Sequence, residues 1–254
     1  MQNFVSHAYK IECLSNLHAG SGDNNYGVID KQVQRDSISS TPVIHASGLK
    51  GALREYFEKV AMPGDSKKIT TIFGSAKTDD ENMQQGFFRF MEARLLSIPV
   101  RGTAGKAFYK ATSATLIGEF NRLAAGVNAS YNIPIPLSKG VDANTEFGDA
   151  PTVSNIIEIG DEVAMLSDEM MGDVLTHLPV IARNSLDNGQ SENLWYEEVV
   201  PRESIFYFFV LTPGHLENDT DFEKDFNTHL NDKLVQIGAN ATVGYGCCKI
   251  SKLF

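Results

Sequence analysis

The densest set of groups able to act on a phosphodiester lies between His18 and Arg54. H-A-G-S-G at 18–22 makes a glycine-rich turn, and V-I-D at 28–30 ends a short extended run on the carboxylate of Asp30. P-V-I-H-A-S-G-L-K-G-A-L-R at 42–54 then opens an amphipathic helix. Backbone N–H groups, cations and one acid thus fall in a single stretch, a combination better suited to a phosphodiester than to a neutral small molecule.

Asp30 is the leading catalytic candidate. A loop carboxylate can position a metal ion or accept a proton during phosphodiester cleavage. The competing reading is a solvated acid at a strand end, because one carboxylate is a poor magnesium site without helpers. Asp23 and Asp36 are available as helpers, but the spacing requires neither. His18 can meet phosphate or exchange a proton, or can simply bond to backbone. His45 sits just ahead of the helix, where ligand contact and packing explain it equally well.

Ser47 is the predicted N-cap of that helix, which is expected over about 48–61. A helix N-terminus offers unpaired N–H donors and partial positive charge to a phosphate. Gly48 and Gly51 would allow close backbone approach, and Lys50 and Arg54 add charge on one stripe. An ordinary capped helix with solvated cations fits the same residues. The loop from Gly238 through Gly244 and Gly246 has neither Walker nor dinucleotide-binding spacing, and a tight connection would explain it alone. G-x-S-x-G and H-E-x-x-H are absent, which removes support for triad and zincin chemistry.

The elements that must hold these groups alternate between strand and helix. Tyr9, Ile11 and Cys13 mark a strand over 6–15 by their period of two. Leu49, Ala52, Leu53, Tyr56, Phe57 and Val60 make the apolar face of the first helix. The spacing predicts loop over 62–86 apart from Ile69–Phe73, a buried strand over 87–98, a turn at Arg101–Gly105 and a helix over 108–123. A loop or inserted subdomain at 125–152 precedes a strand at 155–158 and a helix at 167–177. Strands at 178–183, 194–200 and 205–211 flank a polar hairpin tip at 184–193, and a helix near 221–235 leads to a closing strand at 247–253. This order implies an α+β fold with a ferredoxin-like βαββαβ core and insertions.

The 254 residues and 42% hydrophobic content are enough for one sizeable core. No apolar run reaches membrane-span length, and Met1–Lys10 lacks a signal-peptide stretch, so the expected location is cytoplasmic with no membrane partner. Cys13, Cys247 and Cys248 include no C-x-x-C, which points to buried thiols rather than zinc. Net charge is −10, against the basic balance of free-standing nucleic-acid binders. The charge is uneven, however: Lys50, Arg54, Arg101, Lys106 and Lys110 cluster, while acids gather in 141–173 and 216–232.

Taken together, H-A-G-S-G at 18–22, G-V-I-D-K-Q-V-Q-R at 27–35, the 42–54 segment, L-L-S-I-P-V-R at 95–101, L-P-V-I-A-R-N at 178–184, L-W-Y-E-E-V-V-P at 194–201 and I-G-A-N-A-T-V-G-Y-G at 237–246 resemble one family. It is the backbone nuclease subunits of type III-B CRISPR effectors (Cmr complexes), within the repeat-associated mysterious protein (RAMP) superfamily. The matches run in order over nearly the whole chain.

The resemblance implies a modified RNA-recognition fold with an inserted thumb hairpin, here about 183–198. It implies copies stacked along a CRISPR guide RNA with other Cmr subunits, each cutting the target single-stranded RNA at regular intervals with a divalent metal, Mg or Mn. Asp30 takes the catalytic position and is the candidate metal ligand. His18, Arg35, Ser47, Gly48, Lys50, Arg54, Arg183, Gly244 and Gly246 would contact RNA. Two positions depart from the pattern: Lys31-Gln32 after the aspartate, and Tyr245 where relatives often carry a base. The rival readings are a non-catalytic RNA scaffold, the type III-A equivalent and a stand-alone RNA-processing enzyme.

Overall fold

The computed structural model describes residues 4–22, 28–75, 83–135, 142–214 and 221–254. Asp23, Gly27 and part of the acidic 216–232 stretch fall outside the described residues. The first strand, β1 (Phe4–Cys13), buries Tyr9, Ile11 and Cys13 on one face, as its period of two requires. A short β2 (Val43–Ile44) leads into α1 (Ala46–Tyr56), which continues as one π-helical turn at Phe57–Ala61.

Helix α1 begins earlier than Ser47 predicts. Its N-cap is His45, whose N–H donates to Gln34 Oε1 at 2.7 Å, and Ser47 lies exposed within the first turn. The loop that contacts Gln34 fixes the entry of the chain, so the capping preference of serine is not used. Leu49, Leu53 and Phe57 are buried, whereas Val60 is turned outward by the π turn and exposed.

Ile69–Phe73 belong to a helix, α2 (Ser66–Phe73), rather than to an isolated apolar patch in a loop. Asp65 caps it by accepting from the Lys68 N–H at 3.1 Å, and Ile69, Ile72 and Phe73 fall at helical spacing into the core. Two strands follow, β3 (Arg89–Phe90) and β4 (Ala93–Arg101). The predicted helix at 108–123 is split: 108–113 form β5 (Phe108–Ser113), and Ser113 then caps α3 (Ala114–Gly126) by accepting from the Leu116 N–H at 3.3 Å. The 125–152 region contains β6 (Asp142–Thr145) and the start of β7 (Gly148–Ile156). A turn at 157–159 replaces the end of the predicted 155–158 strand and reverses the chain into β8 (Gly160–Leu166), ahead of α4 (Asp168–Thr176).

The hairpin is β9 (Val180–Asp187) and β10 (Gln190–Glu198), joined at Asn188 and Gly189 with φ of 48° and 83°. Asn-Gly with both residues at positive φ is the favoured two-residue turn between twisted strands. The chain closes with β11 (Ile205–Pro213), α5 (Asp221–Leu230), β12 (Lys233–Gln236) and β13 (Cys247–Lys252). Asp232, at φ 57°, turns the chain into β12 where the sequence predicts continuing helix.

The structure is a mixed α/β fold with one large sheet and a separate β9–β10 pair. The sheet runs β12–β13–β1–β11–β4–β5–β8–β7–β6. Across β13, β1, β11 and β4 every neighbour is antiparallel. The crossovers β1 to β4 and β11 to β13 contain α1 and α5 respectively. Strand β11 is buried on both faces: Phe206, Phe208 and Val210 enter one core, and Ile205, Tyr207 and Phe209 the other. The first core centres on Phe226 of α5, stacked on Phe57 at 5.0 Å. In the second, Phe120 of α3 lies edge-on to Tyr207 at 4.8 Å. Both faces of the central strands are therefore covered. Among the described residues, no helix is long and apolar enough to cross a membrane.

Candidate nucleic-acid interface

Asp30 is exposed, and the base of the β9–β10 hairpin holds it. Its Oδ2 accepts the Tyr196 N–H at 2.7 Å, and the Tyr196 carbonyl accepts the N–H groups of Asp30 and Lys31, each at 3.1 Å. Lys31 returns the contact by accepting the Glu198 N–H at 2.8 Å. The loop and β10 thus lie side by side, with Lys31 and Glu197 in a parallel bridge. One carboxylate oxygen is spent on Tyr196, and the other, Oδ1, has no bond to that backbone.

Behind Asp30 two consecutive acids of β10 are buried. Glu198 Oε1 accepts from Arg35 Nη2 at 2.5 Å, and its Oε2 accepts the Val33 N–H at 3.0 Å. Arg35 Nη1 also donates to the carbonyls of Ser40 and Leu175, each at 2.9 Å. Arg35, expected from the resemblance to contact RNA, is thus bonded internally to three segments of the chain. Glu197 is 1% exposed; it accepts from Arg183 Nη1 at 3.0 Å and Asn240 Nδ2 at 2.8 Å, with His18 Nε2 at 3.7 Å. Burial pushes the Glu197 carboxyl upward, but the Arg183 and Asn240 bonds and the charges of His18 and Arg183 outweigh it and hold it below the usual carboxylate range.

His18 is itself buried, with Nδ1 2.7 Å from the Glu198 carbonyl, so its ring orientation is set by the hairpin base. Arg183 packs between two rings, its guanidinium 5.5 Å from the centroid of Trp195 and 5.7 Å from that of Tyr245. Lys31 Nζ lies 5.5 Å from the same Trp195 ring. A cation thus stands beside Tyr245 after all, but it comes from β9.

A cavity of about 320 Å³ opens beside this cluster, lined by His18, Gly20, Lys31, Gln32, Glu197 and Asn240 among others. A second cavity of about 300 Å³ shares Gly20 and runs over Gly48 and Gly51 of α1 to Gly238. The two linings meet at Gly20 and together trace a path, the groove, from Glu197 at the hairpin base to Gly48 and Gly51 of α1. The 238–246 loop, whose Gly238 lines the second cavity, requires glycine at two positions: Gly238 has φ +79° and a Cβ there would lie 2.5 Å from the His18 carbonyl oxygen, and at Gly246, φ +71°, a Cβ would lie 1.9 Å from the Ile237 oxygen.

The RAMP superfamily profile matches residues 10–249. The chain belongs to the RAMP superfamily. It is 31% identical, over 94% of its own length and 92% of the relative's, to the CRISPR system Cmr endoribonuclease Cmr4 of Pyrococcus furiosus. Among solved structures, a chain of the type III-B Cmr-beta complex bound to cognate target RNA superposes with a TM-score of 0.79 at 21% identity, covering 98% of this chain and 97% of that one. Oligomeric Cmr4 from Pyrococcus furiosus superposes with a TM-score of 0.73 at 22% identity, covering 97% of each. These structures share the fold.

Within this RAMP chain the predicted residues separate into two groups. Asp30, His18 and Arg183 meet at the hairpin base, and Gly48 lines the groove. Gly244 and Gly246 bracket Tyr245, whose ring packs on Arg183. Ser47 is exposed on the first turn of α1 and Lys50 is half-buried, and neither lines the two cavities. Arg54 is engaged elsewhere: Nε donates to Glu58 Oε1 at 2.7 Å, and Nη1 to the Gly74 and Ser75 carbonyls at 2.9 and 3.3 Å. A helical i,i+4 partner and the end of α2 thus hold the guanidinium that was expected to contact RNA.

Sequence reasoning missed Glu197, Glu198 and Asn240 as parts of the site. Two adjacent acids in a strand of apolar and aromatic residues, L-W-Y-E-E-V-V, gave the available signal, since buried carboxylates demand partners. The donor set for a metal is thin. Among the described residues no group of three His, Cys, Asp or Glu side chains is placed to hold an ion.

Proposed function

We propose that this chain is a backbone subunit of a type III-B CRISPR effector, binding a CRISPR guide RNA and cutting single-stranded target RNA at regular intervals. It acts beside further copies of itself and other Cmr subunits. The observation that carries the reading is the placement of Asp30: an exposed carboxylate, held by the Tyr196 N–H at the hairpin base, next to Lys31, which lines the adjoining cavity. Identity of 31% to an endoribonuclease of the Cmr system, over 94% of this chain, supports the same assignment. In this reading β13, β1, β11 and β4 are the palm of a modified RNA-recognition fold, and β9–β10 is the thumb.

The covered sheet decides how RNA is held. In an ordinary RNA-recognition module bases stack on the open face of the sheet. Here α3 and the aromatic core occupy that face, so RNA follows the loop-lined groove. The cavity walls carry backbone groups, Lys31 and His18 in place of a broad basic patch, which fits a chain whose net charge is −10. Guide binding therefore draws on the assembled groove.

In the cut, the target's 2′-oxygen attacks the adjacent phosphorus. A 2′-O–P bond forms as the P–O5′ bond breaks, leaving a 2′,3′-cyclic phosphate and a 5′-hydroxyl. Asp30 Oδ1 is placed to orient that hydroxyl or take its proton, and a base displaced by the hairpin permits the in-line approach. A magnesium or manganese ion would take Asp30 Oδ1 and RNA phosphate oxygens as ligands, since magnesium often binds through one or two carboxylates plus phosphates. The test is target cutting by the assembled complex, wild type against Asp30→Ala, beside a gel-shift assay of target binding. Lost cutting with binding kept supports the nuclease; unchanged cutting leaves the chain as a scaffold.

A further inference from the structure

Glu198 touches the Asp30 loop at more than one level. Its backbone N–H binds the Lys31 carbonyl, its Oε2 takes the Val33 N–H, and its Oε1 takes Arg35 at 2.5 Å. The side chain is 6% exposed, and Arg35 is 24% exposed. Two residues earlier in the same strand, the Tyr196 backbone grips Asp30 from both sides. The segment 30–35 is thus pinned to the base of the hairpin at 30, 31, 33 and 35. The Asp30 end is held by the Tyr196 backbone, which bonds its N–H and its Oδ2, whereas the 33–35 end is held by a buried ion pair.

Arg35 also ties this assembly to the body of the protein. Its second amino group binds Ser40 and the Leu175 carbonyl, the latter at the end of α4. Hairpin, catalytic loop and α4 therefore meet at one guanidinium.

We infer that the Arg35–Glu198 pair is a latch that positions Asp30, so that the hairpin base and the catalytic carboxylate move as one unit. Neither residue touches RNA; both are positioning residues. This rests on the reading of Asp30 as the catalytic carboxylate. Breaking the latch leaves the Asp30–Tyr196 bonds in place but unsupported, and a shift of about 1 Å in a catalytic group lowers rate by up to about a hundredfold without removing any binding contact.

The experiment uses the guide-loaded assembled complex carrying Glu198→Gln, Arg35→Lys, Arg35→Met, the Glu198→Gln/Arg35→Met double variant or Asp30→Ala. Single-turnover cutting at saturating complex is measured beside target affinity. Glu198→Gln retains an oxygen for the Val33 N–H and loses the charge; it is expected to cut about tenfold more slowly, or worse, with target affinity unchanged. Arg35→Lys should keep more activity than Arg35→Met. The double variant should be no slower than the slower single one, because both changes open the same latch. Wild-type cutting by Glu198→Gln and Arg35→Met, with Asp30→Ala inactive, would overturn the latch and leave the nuclease reading intact. Equal losses of cutting and binding would also overturn it, showing a general loss of fold. Full cutting by Asp30→Ala would instead remove the premise.

Discussion

The Asp30 carboxylate and the Tyr196 backbone N–H are 2.7 Å apart, across 166 positions of sequence. The donor is a main-chain group of the hairpin strand, so the aim of the carboxylate depends on where β10 runs and not on the tyrosine ring. Tyr196 is 39% exposed. This separates two properties that usually change together when a catalytic loop is mutated: the charge of the acid and its orientation.

Asp30→Asn keeps an oxygen that can accept the Tyr196 N–H, and it removes the negative charge. If the carboxylate takes a proton or a metal ion, cutting by the assembled complex should fall at least about a hundredfold, while target affinity and thermal midpoint stay close to wild type. The comparison variant is Asp30→Glu, which keeps the charge and displaces it by one methylene; partial activity is expected. Single-turnover cutting of a labelled target reads both.

Tyr196→Pro removes the N–H and nothing from the β9–β10 ladder, because Tyr196 turns both its N–H and its carbonyl toward the Asp30 loop. Proline is tolerated where the lost donor does not serve the sheet. Cutting should therefore fall with the hairpin intact, whereas Tyr196→Ala, which keeps the backbone donor, should preserve most of it. Equal activity in the two variants would show that Asp30 needs no aim from β10.

How far the sequence foretold this site depends on the range of the interactions involved. Asp30, His18 and the glycines stand in contiguous segments whose local chemistry is legible, and Asn188-Gly189 announces its own turn. The partners of Asp30 come from 166 residues away, and nothing in the spacing around V-I-D connects it to Tyr196. Arg35 and Arg54 show the same limit from the other side. Each is a cation in a promising stretch, and its pairing with a glutamate and with carbonyls of distant segments could not be read from that stretch. The elements failed for a related reason. Ser113 is a cap inside a stretch that reads as one helical pattern, so periodicity alone merged β5 with α3; Asp65 caps α2 inside a polar segment that reads as loop, so α2 went unseen.

Gly51 lies on the exposed side of α1 and lines the groove, and a Cβ there would meet nothing within 4 Å. Gly51→Ala should therefore raise the stability of the chain by about 0.5–1 kcal/mol, since glycine is a poor helix former. The same methyl group intrudes on the groove, and guide RNA binding by the chain should weaken. Gly246→Ala is the contrast: its positive φ and the 1.9 Å approach to the Ile237 oxygen predict a loss upward of about 2 kcal/mol. Thermal midpoints and filter binding of guide RNA check both. Undiminished binding by a stabilised Gly51→Ala chain would place the RNA elsewhere.

Glu197 gives the fold a defined acid sensitivity. Its carboxyl titrates below its ordinary value of 4.5 because Arg183, Asn240 and His18 favour the ionised form over the opposing effect of burial. A group with a depressed folded pKa contributes stability that is fully present above its unfolded value and is lost as pH falls through the folded one. The contribution should thus be complete at pH 6 and above, and should decline below about pH 4.5. Glu197→Gln removes the charge at every pH and leaves Arg183 facing Trp195 and Tyr245 without its acid. The variant is expected to be less stable than wild type by about 1–3 kcal/mol at pH 7, with the gap closing as wild-type Glu197 protonates. Urea midpoints of the two chains at a series of pH values from 7 to about 3 measure that gap. A constant difference across the series would show that the charge of Glu197 is not what stabilises the hairpin base.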